Sequence, residues 1–155
     1  VMGNTWFWPQ SGLLGIFSRV MGSPPIQWLI LRRNFFVNPL MKQTLRAELS
    51  DKEFAHYRAV VPTPESRRGI AEFPKQILAA RPWLAEVERA AEPLLAKPIL
   101  LPWGMKDLAF ARPPFIKRWQ EAFPQATLLK LPNAGHYIQE DAADEIAAAI
   151  IEKYG

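Results

Sequence analysis

The sequence predicts an α/β chain, with a long helical stretch followed by strand–helix–strand–helix and two parallel strands. Three observations carry that reading. Ile99-Leu100-Leu101 and Thr127-Leu128-Leu129-Lys130-Leu131 are short apolar runs bounded by Pro and Gly, the pattern of buried strands. The residues between and after these runs carry apolar side chains at helical spacings. From Thr5 to Ala96 the pattern is helical and repeatedly interrupted by proline.

Val1-Met2-Gly3-Asn4 reads as the tail of a core strand. Ser11 is placed to cap a helix bearing Leu13, Leu14, Ile16, Phe17, Val20 and Met21. Pro24-Pro25 ends it and starts a second, with Ile26, Leu29, Ile30 and Phe36 at helical spacing. Asn38-Pro39 signals a turn, and Ser50 caps a helix running through His56 and Tyr57. Thr63-Pro64-Glu65 starts the next, which ends at Arg81-Pro82. Trp83 to about Leu95 reads as one amphipathic helix, with Leu84, Val87, Ala91 and Leu95 on one side.

After Lys97 the pattern changes. A strand over 99–102 leads into the turn Trp103-Gly104-Met105-Lys106-Asp107. A helix starts near Pro113-Pro114 and carries Phe115, Ile116, Trp119 and Phe123. The strand 127–131 and a loop through His136 follow. The last helix runs from about Asp141 to Tyr154, with Glu140, Asp141 and Asp144 at its positive end and Gly155 as a cap. The expected organisation is a strand end at 1–4, a helical segment over 5–96 and an α/β segment over 97–155. Parallel strands need neighbours and helices on both faces, so the rest of this sheet is expected elsewhere. The start reads as the inside of a larger protein or one product of a split gene, and an exposed strand there invites self-association or a partner.

Composition narrows the function classes. With 155 residues, nearly half of them apolar, the chain can bury a sizeable core. The net charge of +4 is modest, and Arg32-Arg33 and Arg67-Arg68 form no basic stripe, which argues against nucleic acid. There is no cysteine, and His56 and His136 are too far apart in sequence to suggest a metal cluster. No apolar run reaches membrane-spanning length and no signal-peptide pattern opens the chain, so a soluble cytoplasmic protein is expected, with no membrane contact.

An acid and a histidine at the C-terminal ends of successive parallel strands suit a charge-oriented base. Asp107 and His136 occupy those places. The imidazole takes a proton, and the carboxylate holds its tautomer and stabilises the imidazolium. The plainer readings are a helix cap for Asp107 and a structural histidine for His136; His56, among Phe54, Ala55 and Tyr57, reads as a surface or packing residue. No nucleophile motif such as G-x-S-x-G, nor its Asp equivalent, occurs in the chain.

The order of acid then histidine matches the last part of an α/β-hydrolase, and within that fold the sequence resembles the haloalkane dehalogenases. Asn4-Thr5-Trp6-Phe7-Trp8-Pro9 resembles that family's exit from the sixth strand into the cap, and Glu72-Phe73-Pro74-Lys75-Gln76-Ile77 a segment of the cap itself. The stretch 97–107 resembles the acid-bearing seventh strand and loop, and 134–141, AGHYIQED, the histidine loop. The resemblance implies the C-terminal part of the fold, with a helical cap followed by the last two parallel strands and their helices.

It also implies an activity, hydrolysis of carbon–halogen bonds through an alkyl-enzyme ester on an Asp nucleophile that this chain does not supply. His136 would deprotonate the water that cleaves the ester, oriented by Asp107. Some family members carry the acid after the sixth strand, where this chain has Asn4-Thr5-Trp6 and no acid. The family needs neither organic cofactor nor metal; its substrates are small apolar haloalkanes and water. The halide donors of the matching subfamily lie outside this chain, so no tryptophan here is assigned to halide. Trp6, Phe7 and Trp8 either line the substrate pocket or belong to the core, and Leu108, Phe110 and Tyr137, next to the two candidates in sequence, are pocket-lining candidates too.

Rival readings are an epoxide hydrolase, which would want cap tyrosines where only Tyr57 is available, a serine esterase, and a non-catalytic truncated chain needing a partner. The isolated chain is expected to be inactive.

Overall fold

The structure is a computed structural model that describes all 155 residues. The chain divides into two compact units, a helical one (Phe7–Gln43 and Glu48–Glu88) and an α/β one (Val1–Trp6, Thr44–Ala47 and Arg89–Gly155). Residues 5–6, 44–47 and 89–96, which the sequence reading groups with the helical segment 5–96, cluster with the α/β unit.

The helical unit contains α1 (Gly12–Met21), α2 (Pro24–Arg33), a π-helical turn (Phe36–Met41), α3 (Lys42–Thr44, which ends in the other unit), α4 (Asp51–Val60), α5 (Arg68–Ala79) and α6 (Arg81–Arg89). Met21, Ile30 and Ala71 form a core against which Ile26, Leu31, Phe35, Phe36, Leu40 and Ile70 pack. Polar side chains tie these helices through backbone carbonyls. Gln27 donates to Met21 and Ala71, Ser18 to Pro74, and the Arg67 guanidinium to Leu31, Val61 and Pro62.

Several local expectations change. Ser11 stands at the N-cap of α1 without a side-chain capping bond, whereas Ser50 and Glu53 form a full capping box on α4. Asn38-Pro39 lies inside the π-helical turn rather than in an open turn. Thr63 and Ser66 exchange side-chain and backbone hydrogen bonds in a turn of their own, so α5 begins only at Arg68. The helix expected over 83–95 ends at Arg89, because Pro93 has no N–H and its ring would meet the Arg89 carbonyl. A 3₁₀ turn follows over Glu92–Ala96, and Leu95, expected on the buried side, is 48% exposed.

The α/β unit has two parallel strands, β1 (Leu100–Gly104) and β2 (Thr127–Leu131), in register from Leu100 opposite Thr127 to Gly104 opposite Leu131. All five residues of β1 are buried, and the strand runs two residues past its expected end. The Met2 N–H donates to the Leu100 carbonyl, although 1–4 is not itself a strand. Between the strands, α7 (Pro113–Ala122) starts on its two prolines and buries Trp119, whose ring lies 5.7 Å from that of Phe123. The terminal helix is in two pieces, α8 (Ile138–Asp141) and α9 (Ala143–Tyr154). Ala142 breaks it, with φ −152°, and packs against Leu131 and Ala134. No helix is long and apolar enough to cross a membrane.

Candidate active site

The turn after β1 delivers Asp107. Gly104 permits it, because a Cβ there would collide with the Gly135 and Ala134 carbonyl oxygens. The Met105 N–H continues the ladder to the Leu131 carbonyl, and the Lys106 N–H reaches Ala134 O at 2.9 Å. The two post-strand loops are thereby laced together, and Asp107 faces the loop that carries His136.

Asp107 is buried, and its carboxylate uses both oxygens. Oδ1 accepts from the backbone N–H groups of Ala109 (2.7 Å) and Phe110 (3.1 Å), as an N-cap does. Oδ2 accepts from Asn4 Nδ2 and lies 2.9 Å from His136 Nδ1. The cap geometry and the contact with the imidazole, alternatives in sequence terms, therefore coexist on one side chain. A carboxylate on Nδ1 holds that proton there and leaves Nε2 with its lone pair, the form a general base needs. The Asp107 side chain is 2% exposed and that of His136 40%, so the acid is shielded while the imidazole remains accessible.

Aromatic rings set the imidazole plane. Phe110 stacks on it at 5.6 Å, Trp6 stacks on Phe110 at 5.3 Å, and Tyr137 meets His136 edge-on at 5.3 Å. The Phe110 carbonyl accepts the Trp103 indole N–H at 2.8 Å, which anchors the stack to β1. Burial pushes the Tyr137 phenol above its usual value, opposed by a hydrogen bond with the Thr44 side chain. Of the other pocket candidates, Leu108 is 76% exposed, whereas Phe7 and Trp8 belong to the helical unit, their rings edge to face at 5.1 Å and Trp8 buried.

Two residues outside the sequence-derived set complete the geometry. Asn4 is buried with φ +41°, a left-handed conformation that Asn tolerates better than most residues. Besides donating to Asp107, its amide donates to the Gly135 carbonyl and accepts from the Gly104 N–H, both at 2.9 Å. Asp141 accepts from Gly135, Arg46 and Ala47 backbone N–H groups. Sequence reasoning placed Asn4 as a strand end and Asp141 as a helix-dipole acid.

No protein-family model matches the chain. Over its whole length it is 56% identical, across 157 aligned residues, to haloalkane dehalogenase 2 of Mycobacterium tuberculosis strain H37Rv. The chain belongs to the haloalkane dehalogenase family. It is also 35% identical over 127 residues, 79% of its length, to the haloalkane dehalogenase of Bradyrhizobium diazoefficiens, of which it covers 41%. The crystal structure of haloalkane dehalogenase DbeA from Bradyrhizobium elkani USDA94 matches 94% of this chain with a TM-score of 0.74 at 27% identity, covering 52% of that chain. The chain spans about half the length of the curated relatives it matches, 55% for the M. tuberculosis protein. Its architecture is accordingly part of an α/β-hydrolase fold.

Proposed function

We propose that this chain supplies the acid and the base of a haloalkane dehalogenase-like hydrolase. The observation that carries the reading is the 2.9 Å contact between His136 Nδ1 and the buried Asp107 carboxylate, in a chain of the dehalogenase family.

The reaction has two steps. A carboxylate oxygen of an Asp nucleophile displaces halide from carbon, leaving an alkyl ester. His136 Nε2 then takes a proton from water as the water oxygen attacks the ester carbonyl, with Asp107 stabilising the imidazolium. Collapse returns that proton to the departing alcohol and leaves the nucleophile as a carboxylic acid, which loses the second water proton to solvent as the carboxylate is regenerated. No nucleophile elbow occurs among these 155 residues, so in this reading they release no halide by themselves. The nucleophile comes from sequence not contained here, on the same polypeptide or on a partner. In this reading the segment 5–96 is the family's cap, and Trp6, Phe110 and Tyr137 form the aromatic wall beside the base.

The test is a substrate panel given to the protein with its nucleophile present: small bromo- and chloroalkanes, the matching epoxides, and p-nitrophenyl esters. Halide release outpacing epoxide and ester hydrolysis supports the dehalogenase reading. Preferential turnover of epoxides or esters replaces it with one of the rival chemistries.

A further inference from the structure

The loop that carries His136 is held from several sides, and one carboxylate links the restraints. Asp141 Oδ2 accepts from the Gly135 N–H at 2.7 Å. Its Oδ1 accepts from the Arg46 N–H at 2.8 Å and the Ala47 N–H at 2.7 Å. The same Thr44–Ala47 stretch presents the Thr44 carbonyl, which accepts the His136 N–H at 3.3 Å. Asp141 thus holds the residue before the base directly, and the acceptor of the base's own N–H through the stretch it clamps. The approach is close: a Cβ on Gly135 would come within 2.5 Å of Thr44 O. On its other side the Gly135 carbonyl accepts from Asn4.

Three backbone donors on one carboxylate is more than a helix-dipole role needs. These bonds are short and charge-assisted, the stronger class of hydrogen bond, and they restrain the peptide that sets the His136 Cα–Cβ direction. We propose that Asp141 is a positioning residue for His136, acting on the base through Gly135 and the 44–47 stretch without touching substrate. This rests on the dehalogenase reading above, in which His136 is needed for ester hydrolysis and not for halide displacement.

That asymmetry supplies a readout a merely structural residue would not give. Asp141→Asn keeps the shape but turns one acceptor into an N–H₂ that must face a backbone donor. In rapid-quench measurements on the nucleophile-containing protein with a bromoalkane, the variant is expected to release its first equivalent of halide at the wild-type rate. Its steady-state kcat should fall about 10- to 100-fold, the scale on which small misplacements of catalytic groups act. Ala47→Pro, which removes one donor in a loop and leaves Asp141 in place, should shift the same ratio in the same direction, and it serves if Asp141→Asn does not fold. Unchanged kcat, or first-turnover and steady-state rates falling together, overturns the positioning role. A wild-type protein that releases no halide at all overturns the dehalogenase reading instead, and the positioning role falls with it.

Discussion

Asn4 and His136 share one oxygen: Asp107 Oδ2 accepts the Asn4 amide at 2.9 Å and lies 2.9 Å from His136 Nδ1. An amide can donate to that oxygen without competing for the imidazole proton, so the carboxylate is held by Asn4 while the same oxygen faces the imidazole. Asn4→Ala removes this donor, the donor to Gly135 and the acceptor for Gly104, and leaves a side chain ill-suited to a positive φ. Buried polar groups left unpaired, together with that backbone cost, predict a loss of about 2–4 kcal/mol in urea unfolding. Asn4→Gly, which keeps the backbone conformation and loses only the amide, should fall between Ala and wild type.

Gly104→Ala should be worse for activity than for secondary structure. Its Cβ would strike the Gly135 and Ala134 carbonyl oxygens, and backbone cannot yield there without moving the loop that bears His136. Retained far-UV circular dichroism, with turnover of the nucleophile-containing protein reduced at least about 100-fold, is the expected pair of results. Wild-type turnover would show that the two loops tolerate separation.

The contrast between what could and could not be read from sequence follows from range. The two strands, and the acid and histidine at their ends, announce themselves in apolar runs and turn residues a few positions apart. The boundary of α6 is also local: the apolar spacing runs on through Leu95, but the missing N–H of Pro93 ends the helix at Arg89. Asn4 and Asp141 were invisible as positioning groups because their deciding partners lie 103 residues away at Asp107 and 95 away at Arg46. An asparagine at the end of a strand carries no local mark of a left-handed turn or of the carboxylate it will meet.

Leu101 has no exposed surface and lies opposite Leu128 in the parallel register. Leu101→Ala leaves a cavity beneath the strand that positions Asp107 and should cost about 2–5 kcal/mol, read as a shift of the denaturation midpoint with unchanged slope. A smaller cost would mean the two-stranded layer collapses to fill the space.

Two shifted groups contribute to the pH dependence of stability. Burial raises Tyr137 above the usual phenol value of 10.0, so its contribution is full below about pH 10 and is lost as pH rises through the raised value. Tyr137→Phe should flatten that alkaline decline. Glu53 is the opposite case: bonds from the Ser50 hydroxyl and backbone lower it from 4.5, so its contribution is present above about pH 4.5 and lost as pH falls through the lowered value. Ser50→Ala should flatten that acid limb. Both are read from unfolding midpoints across a pH series.

The most direct test of the account is intact-mass analysis of His136→Ala, in the protein that carries the nucleophile, after exposure to a bromoalkane. Removing the base should leave halide displacement intact and stop ester hydrolysis. One equivalent of bromide is expected, with a stable adduct heavier than the protein by the alkyl group less one hydrogen. Continued turnover with no adduct would contradict it, because the water-activating step would then not depend on His136.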